Sequence, residues 1–181
     1  MSARVLLLSR PVSVASIPSA GIERTFAASQ AERLAVAEVF GLLEVKSLDS
    51  TLIVSSSGRG RVRVEGRVKA EIVQACVVTL DPVPQSIDEP VDVRFAPADS
   101  EGLQRPAGEV ADPLAVDPPD PLPGDAIDLG AIALEHFVLA IDPYPRAPGA
   151  ELPPEAADSD AEADSPFAVL AGLVGKPDKR G

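Results

Sequence analysis

Few side chains in this sequence are equipped for chemistry. Cys76 and His136 are its single cysteine and single histidine. Nucleophilic catalysis needs a nucleophile with a base in reach, and neither residue has a companion motif. A structural zinc site needs several cysteine, histidine or clustered carboxylate ligands, which one of each cannot supply. Cys76 falls on the apolar side of an alternating stretch and reads as a small core residue rather than a reactive thiol. His136 lies inside an apolar helical pattern and reads as a helix-surface or satisfied core histidine rather than a catalytic base. Gly58-Arg-Gly60 lacks the third glycine and the strand-to-helix context of a phosphate loop, and reads as a hairpin turn. No catalytic, metal-ligating or cofactor-binding residue is assigned. The rival reading is a hydrolase using His136 with a nearby carboxylate; a His136→Ala variant that folds but fails to complement a deletion would favour it.

The sharper feature is basic. Arg59, Arg61, Arg63, Arg67 and Lys69 recur at every second position or a multiple of it, so an extended strand projects them on one side, where they could meet successive phosphates. The carboxylates interleaved with them favour a plainer reading, a solvated sheet face with cross-strand ion pairs to Glu44 or Glu65. Charge along the chain is uneven. Residues 1–80 carry ten Lys or Arg against seven Asp or Glu, net +3, whereas residues 81–181 carry six against twenty-one, net −15. The acidic half repels phosphate backbones and attracts basic proteins; the first half retains a local patch suited to RNA.

These residues need a frame to hold them. With 181 residues the chain suits one domain, and with 45% apolar residues, 3% aromatics and no Trp its core must come from Val, Leu, Ile and Ala. The longest N-terminal apolar run, Val5 to Leu8, is too short for a membrane span or a signal-peptide core, so a cytoplasmic protein is expected. A lone cysteine forms no intramolecular disulfide, which fits a reducing compartment.

Ser29-Gln-Ala-Glu32 has the capping-box pattern and predicts a helix start; Val36, Val39 and Phe40 follow at helical spacing, and Gly41 suits its end. Leu43, Val45, Leu52 and Val54 then alternate with polar neighbours across an expected break at Asp49-Ser50. From Val62 the alternation is clearest: Val62, Val64, Gly66, Val68, Ala70, Ile72 and Cys76 fall on one face, with Gln74 the polar exception. Asp81-Pro-Val-Pro84 is expected to end that strand. Ile87, Val91, Val93 and Phe95 suggest a return strand in which Pro90 marks an edge or a bulge.

Residues 96–124, rich in Pro, Asp and Gly, read as a flexible acidic loop. Asp128 caps a second helix carrying Leu129, Ile132, Leu134, Phe137, Val138 and Ile141, stopped by Asp142-Pro-Tyr-Pro145. A second acidic, Pro-rich linker spans 147–164. Ser165-Pro166 opens a short apolar helix over 165–175. The expected fold is α+β: an antiparallel sheet, open or barrel-like, with two packed helices in a domain over 1–146, followed by the linker and the short C-terminal helix.

The stretch VEGRVKAEIVQACVVTLDPVPQSIDEPVDVRF, Val64 to Phe95, resembles the core of the YceD-type proteins, in which a glycine-bearing strand leads into a cysteine and a Leu-x-Pro turn. IDLGAIALEHFVLAIDPYPR, Ile127 to Arg146, is similar to that family's Asp-Leu helix with its proline-bearing stop, and SPFAVLAGL, Ser165 to Leu173, to its short closing helix. The resemblance implies a non-enzymatic ribosome-biogenesis factor supporting accumulation of large-subunit (23S) ribosomal RNA. Its partners would be that RNA or a large-subunit precursor particle. The alternative is an acidic chaperone or binding partner of a basic large-subunit ribosomal protein, without RNA contact. The sequence departs from members with a cysteine pair, because Val77, Val78 and Thr79 follow Cys76, so a metal carried by such relatives is not expected here.

Overall fold

The computed structural model describes residues 7–98, 100 and 118–151. The chain divides into two compact units, Met1–Ala147 and Pro148–Gly181, and of the second only residues 148–151 are described. The expected C-terminal helix over 165–175, most of the 147–164 linker and residues 101–117 of the expected acidic loop lie outside the described residues.

In the first unit, β1 (Pro11–Ser13) is followed by a 3-10 turn, Val14–Ser16, and by β2 (Ile22–Ala27). Helix α1 (Gln30–Phe40) starts where the capping box predicts: the Ser29 hydroxyl accepts from the Glu32 amide, and the Glu32 carboxylate accepts from the Ser29 amide at 2.7 Å. Gly41, at φ 66°, closes it in the left-handed conformation. Three long strands follow, β3 (Glu44–Ser56), β4 (Val62–Ala75) and β5 (Pro82–Ala96), then β6 (Asp120–Pro121), β7 (Ala126–Asp128) and helix α2 (Leu129–Leu139).

Strands β2 to β6 form one sheet in the order β2-β3-β4-β5-β6, and β1 pairs with β7 in a separate two-stranded ladder. The long strands are antiparallel, but β5 and β6 run parallel, so the sheet is mixed. It stays open, with β2 and β6 at opposite edges, which corrects both the purely antiparallel and the barrel-like expectation. The physical reason is a stretch read wholly as loop: residues 118–121 return beside the end of β5, where Leu122 N–H donates to the Ala96 carbonyl at 2.8 Å. The expected break at Asp49-Ser50 does not occur. β3 runs through those residues, and its one irregularity falls between Val45 and Ser47. The return strand also begins earlier than Ile87, at Pro82, because the turn is made by residues 77–81. Pro90 lies in unbroken register with Arg67, on a strand paired on its other side at Phe95–Ala96 alone among the described residues, which is an edge position.

Alternation sorts the sheet as the sequence indicates. Val62, Val64, Val68, Ala70 and Ile72 of β4 are buried with Leu48, Leu52 and Val54 of β3 and Ile87 and Val91 of β5. On this face α1 buries Val36 and Ala37, and α2 buries Leu129, Ile132, Ala133 and Phe137, all in one aliphatic cluster. Asp128 starts α2 by accepting from the Gly130 and Ala131 amides, and also from the Ser9 hydroxyl and the Arg10 amide, which ties the N-terminal segment to it. Burial opposes ionisation of Asp128, but these donors outweigh it and hold its carboxyl below the ordinary range. Gln74, the polar exception on the buried face, donates to the Asp142 carbonyl at 2.9 Å and so straps the chain beyond α2 to the sheet.

Candidate nucleic-acid interface

The face of the sheet away from the helices is laid out in rungs across β3, β4 and β5. Reading toward the β3–β4 hairpin, these are Asp49, Lys69, Asp88; then Thr51, Arg67, Pro90; then Ile53, Glu65, Asp92; then Ser55, Arg63, Arg94. Beyond the last rung comes the hairpin tip, closed by Ser57 N–H to the Arg61 carbonyl at 3.1 Å and Arg61 N–H to the Gly58 carbonyl at 3.0 Å. Residues 58, 59 and 60 all take positive φ, with Arg59 at 51°. The tip therefore presents Arg59 and Arg61 past the ends of the strands, both exposed.

The five basic residues singled out in the sequence thus differ in setting. Arg67 Nε donates to Asp88 Oδ1 at 2.6 Å, and Lys69 Nζ lies 3.8 Å from the same carboxylate. Arg63 is held in a two-pronged bond to Asp92, Nε at 2.9 Å and Nη2 at 2.8 Å, and also meets Glu65 at 2.9 Å. Hydrogen bonds from Arg63 to Asp92 and from Arg67 to Asp88 hold both carboxyls below their ordinary range. Arg59 and Arg61 have no carboxylate within 4.0 Å among the described residues. The cross-strand acids are Asp88 and Asp92 of β5, not the expected pair: Glu65 meets Arg63 from two residues along the same strand, and Glu44 sits opposite Val73, far from the arginines along the ladder.

Charge on this face is therefore not a uniform basic stripe. Around the middle rungs, Arg67 and Lys69 are offset by Asp49, Asp88 and Glu71. Toward the hairpin, among the described residues, four guanidinium groups, Arg59, Arg61, Arg63 and Arg94, face three carboxylates, Glu23, Glu65 and Asp92. The positive end surrounds a cleft of about 590 Å³ lined by Ser55, Ser57, Arg61, Val62, Arg63, Arg94 and Phe95, with the carboxylate of Glu65 also on its lining and Pro118 and Pro119 as a further wall. Arg94 was not anticipated from the sequence. The signal was available in β5, whose polar side reads Ser86, Asp88, Pro90, Asp92, Arg94, but placing it beside Arg63 requires the register of the β4–β5 pair.

The chain matches the family model described as large ribosomal RNA subunit accumulation protein YceD over residues 64–174, more than half of its length. It belongs to the YceD family. The matched span takes in β4, β5 and α2, which carry Arg67, Lys69 and Arg94, and begins just after Arg63. The description of that family concerns large-subunit ribosomal RNA. No curated protein and no solved structure matches the chain.

The two residues set aside for chemistry occupy other places. Cys76 is buried where β4 ends, and its Sγ accepts from the amides of Ala147 at 3.3 Å and of Val78 and Thr79 at 3.4 Å. These donors, Ala147 foremost, bring its pKa down to about 6. Val77 N–H also donates to the Pro145 carbonyl at 2.9 Å, so the cysteine lies at a backbone junction between the β4–β5 turn and the segment after α2. His136 is half-buried in the last turn of α2. Among the described residues no three His, Cys, Asp or Glu side chains group as metal ligands, and no helix is long and apolar enough to cross a membrane.

Proposed function

We propose that this protein is a non-enzymatic, cytoplasmic ribosome-biogenesis factor that supports accumulation of large-subunit ribosomal RNA by joining a large-subunit precursor particle. Membership of the YceD family is the observation that carries this reading. The contact surface is the hairpin end of the open sheet face, where Arg59, Arg61 and Arg63 are joined by Arg94 and positive charge exceeds negative. The middle of the face contributes little, because Arg67 and Lys69 are engaged by Asp88. The test is sedimentation of the tagged full chain through a density gradient, with large-subunit RNA measured after depletion. Migration with large-subunit precursors and a fall in that RNA are expected; unchanged RNA on depletion would overturn the reading.

A second reading, an acidic partner for one basic large-subunit ribosomal protein without RNA contact, draws on the −15 carried by residues 81–181. An apolar groove of about 360 Å³ beside Phe40, Leu134, Val138 and Leu139, with Glu135 on its lining, is a surface such a partner would use. Charge reversal at Arg61 and Arg63 separates the two readings, since precursor binding is lost only under the first.

A further inference from the structure

We propose that the cleft at the hairpin end of the sheet is a phosphate subsite for a single RNA strand, in which Arg61 and Arg94 hold the phosphate and Asp92 competes with it. The inference rests on the RNA-contact reading above and names the atoms that would make the contact.

Arg63 already commits Nε and Nη2 to carboxylates, so its charge contributes to the field while its best hydrogen-bonding edge is taken. Arg94 reaches Asp92 only at 3.6 Å, beyond a hydrogen bond, and Arg61 has no acid within 4.0 Å among the described residues. Among the described residues, then, neither guanidinium makes a short bond to a carboxylate; both line the same cleft, with Glu65 also on its wall, and their planar forks match a phosphate's paired oxygens. Ser55 on the neighbouring strand and Ser57 just past its end place hydroxyl donors there, and Phe95 adds an apolar patch to the wall. A volume of about 590 Å³ admits a phosphate together with its sugar.

Position supports a strand rather than an isolated ion. Ser55, Arg63 and Arg94 occupy one rung, and Arg61 stands beyond it toward the tip with Arg59, so the donors run outward in a line past the sheet's end. Phosphates of an extended strand laid along that line would meet Arg94, Arg61 and then Arg59. Asp92, one rung inward, is the only carboxylate among the described residues that touches both Arg63 and Arg94, so an incoming phosphate must share those cations with it. The carboxylate keeps two like charges together in the free protein and limits affinity in the bound one.

The test uses the full chain and a fluorescently labelled single-stranded oligouridylate of about ten nucleotides, with binding read by anisotropy across a salt series. Arg61→Gln and Arg94→Gln should each weaken binding by on the order of ten-fold at low salt, and each should reduce the logarithmic salt slope by about 0.7. Arg67→Gln should bind as the wild type does. Asp92→Asn should tighten binding several-fold, a change that a merely structural role for Asp92 would not produce. Equal losses in the Arg67, Arg61 and Arg94 variants would overturn the local site in favour of a diffuse field, and weaker binding by Asp92→Asn would overturn the competition. Displacement of the oligonucleotide by inorganic phosphate at matched ionic strength would show a free-anion site and overturn the strand assignment. In gradients, precursor migration that persists in an Arg61→Gln, Arg94→Gln double variant sinks this subsite while leaving the proposed function standing. Absence of migration by the wild type sinks the function itself.

Discussion

Arg63 lies directly across from Arg94 in the β4–β5 pair, two like charges on one rung, and Asp92 is within reach of both. Like charges directly opposite destabilise an antiparallel pair, and a carboxylate between them offsets the repulsion. Changing Arg94 and changing Asp92 therefore have opposite consequences. Arg94→Thr should leave the urea midpoint unchanged or slightly raised, because the repulsion disappears. Asp92→Asn should lower the midpoint and make it rise with added salt, which screens the two arginines. A drop with Arg94→Thr equal to that of Asp92→Asn would contradict this account.

Stability should also fall in acid through one identified pair. Hydrogen bonding from Arg10 is the largest influence on Glu32 and, with the Ser29 donors, brings its pKa from 4.5 down to about 2. Arg10 Nη1 meets Glu32 Oε1 at 2.9 Å, and the guanidinium also lies over the Phe26 ring. A carboxyl depressed in the folded state contributes stability that is complete above its unfolded pKa and lost as pH falls toward the folded one. The window here runs from about 4.5 down to about 2. Urea titrations at several pH values should show Glu32→Gln less stable than wild type at neutral pH and the difference closing across that window. A constant difference would remove the pair as the cause.

The start of α1 offers a separate check. Ser29→Ala deletes the hydroxyl that accepts from Glu32 N and should cost about 1 kcal/mol. Ser29→Asp, which restores an acceptor at the cap, should recover most of it. Chemical denaturation measures both; equal losses in the two would mean that the accepting hydroxyl is not what the cap contributes.

Backbone contact inside the sheet predicts a larger effect. Gly66 sits at φ 155° opposite Leu52, and a Cβ there would run into the Thr51 carbonyl. Gly66→Ala should cost on the order of 2–4 kcal/mol, from strain plus displacement of β3. Phe137→Ala, which empties the largest fully buried side chain, should cost about 3–5 kcal/mol. A Gly66→Ala protein as stable as wild type would mean the strands can part there at little cost.

For Cys76, two effects oppose one another. A pKa near 6 makes the sulfur a thiolate at neutral pH, which favours reaction, while complete burial denies reagents access. Access should win. A thiol reagent at neutral pH should modify the native protein at least about 100-fold more slowly than the unfolded chain, at a rate set by local opening. Equal rates would show that the junction at Ala147 is not closed.

What the sequence determined by itself was local. Ser29, Glu32 and Gly41 specify α1 because a cap is settled within a few residues of the helix end, and Asp128 does the same for α2. The period-two alternation from Val62 to Ile72 told inside from outside, since successive side chains of a strand must point to opposite faces whatever lies beside them. The family resemblance also rested on contiguous stretches. What lay across each strand was decided only in three dimensions. Asp92 stands 29 residues from Arg63 and Asp88 21 from Arg67, and register alone converts a seemingly basic face into a slightly acidic middle with one positive end. The short partners β1, β2, β6 and β7 were equally illegible, because strands of two to six residues carry too little alternation to register and are fixed by the neighbours they join. Periodicity records which way a side chain points; pairing decides what it meets, and the charge available to a ligand depends on the second.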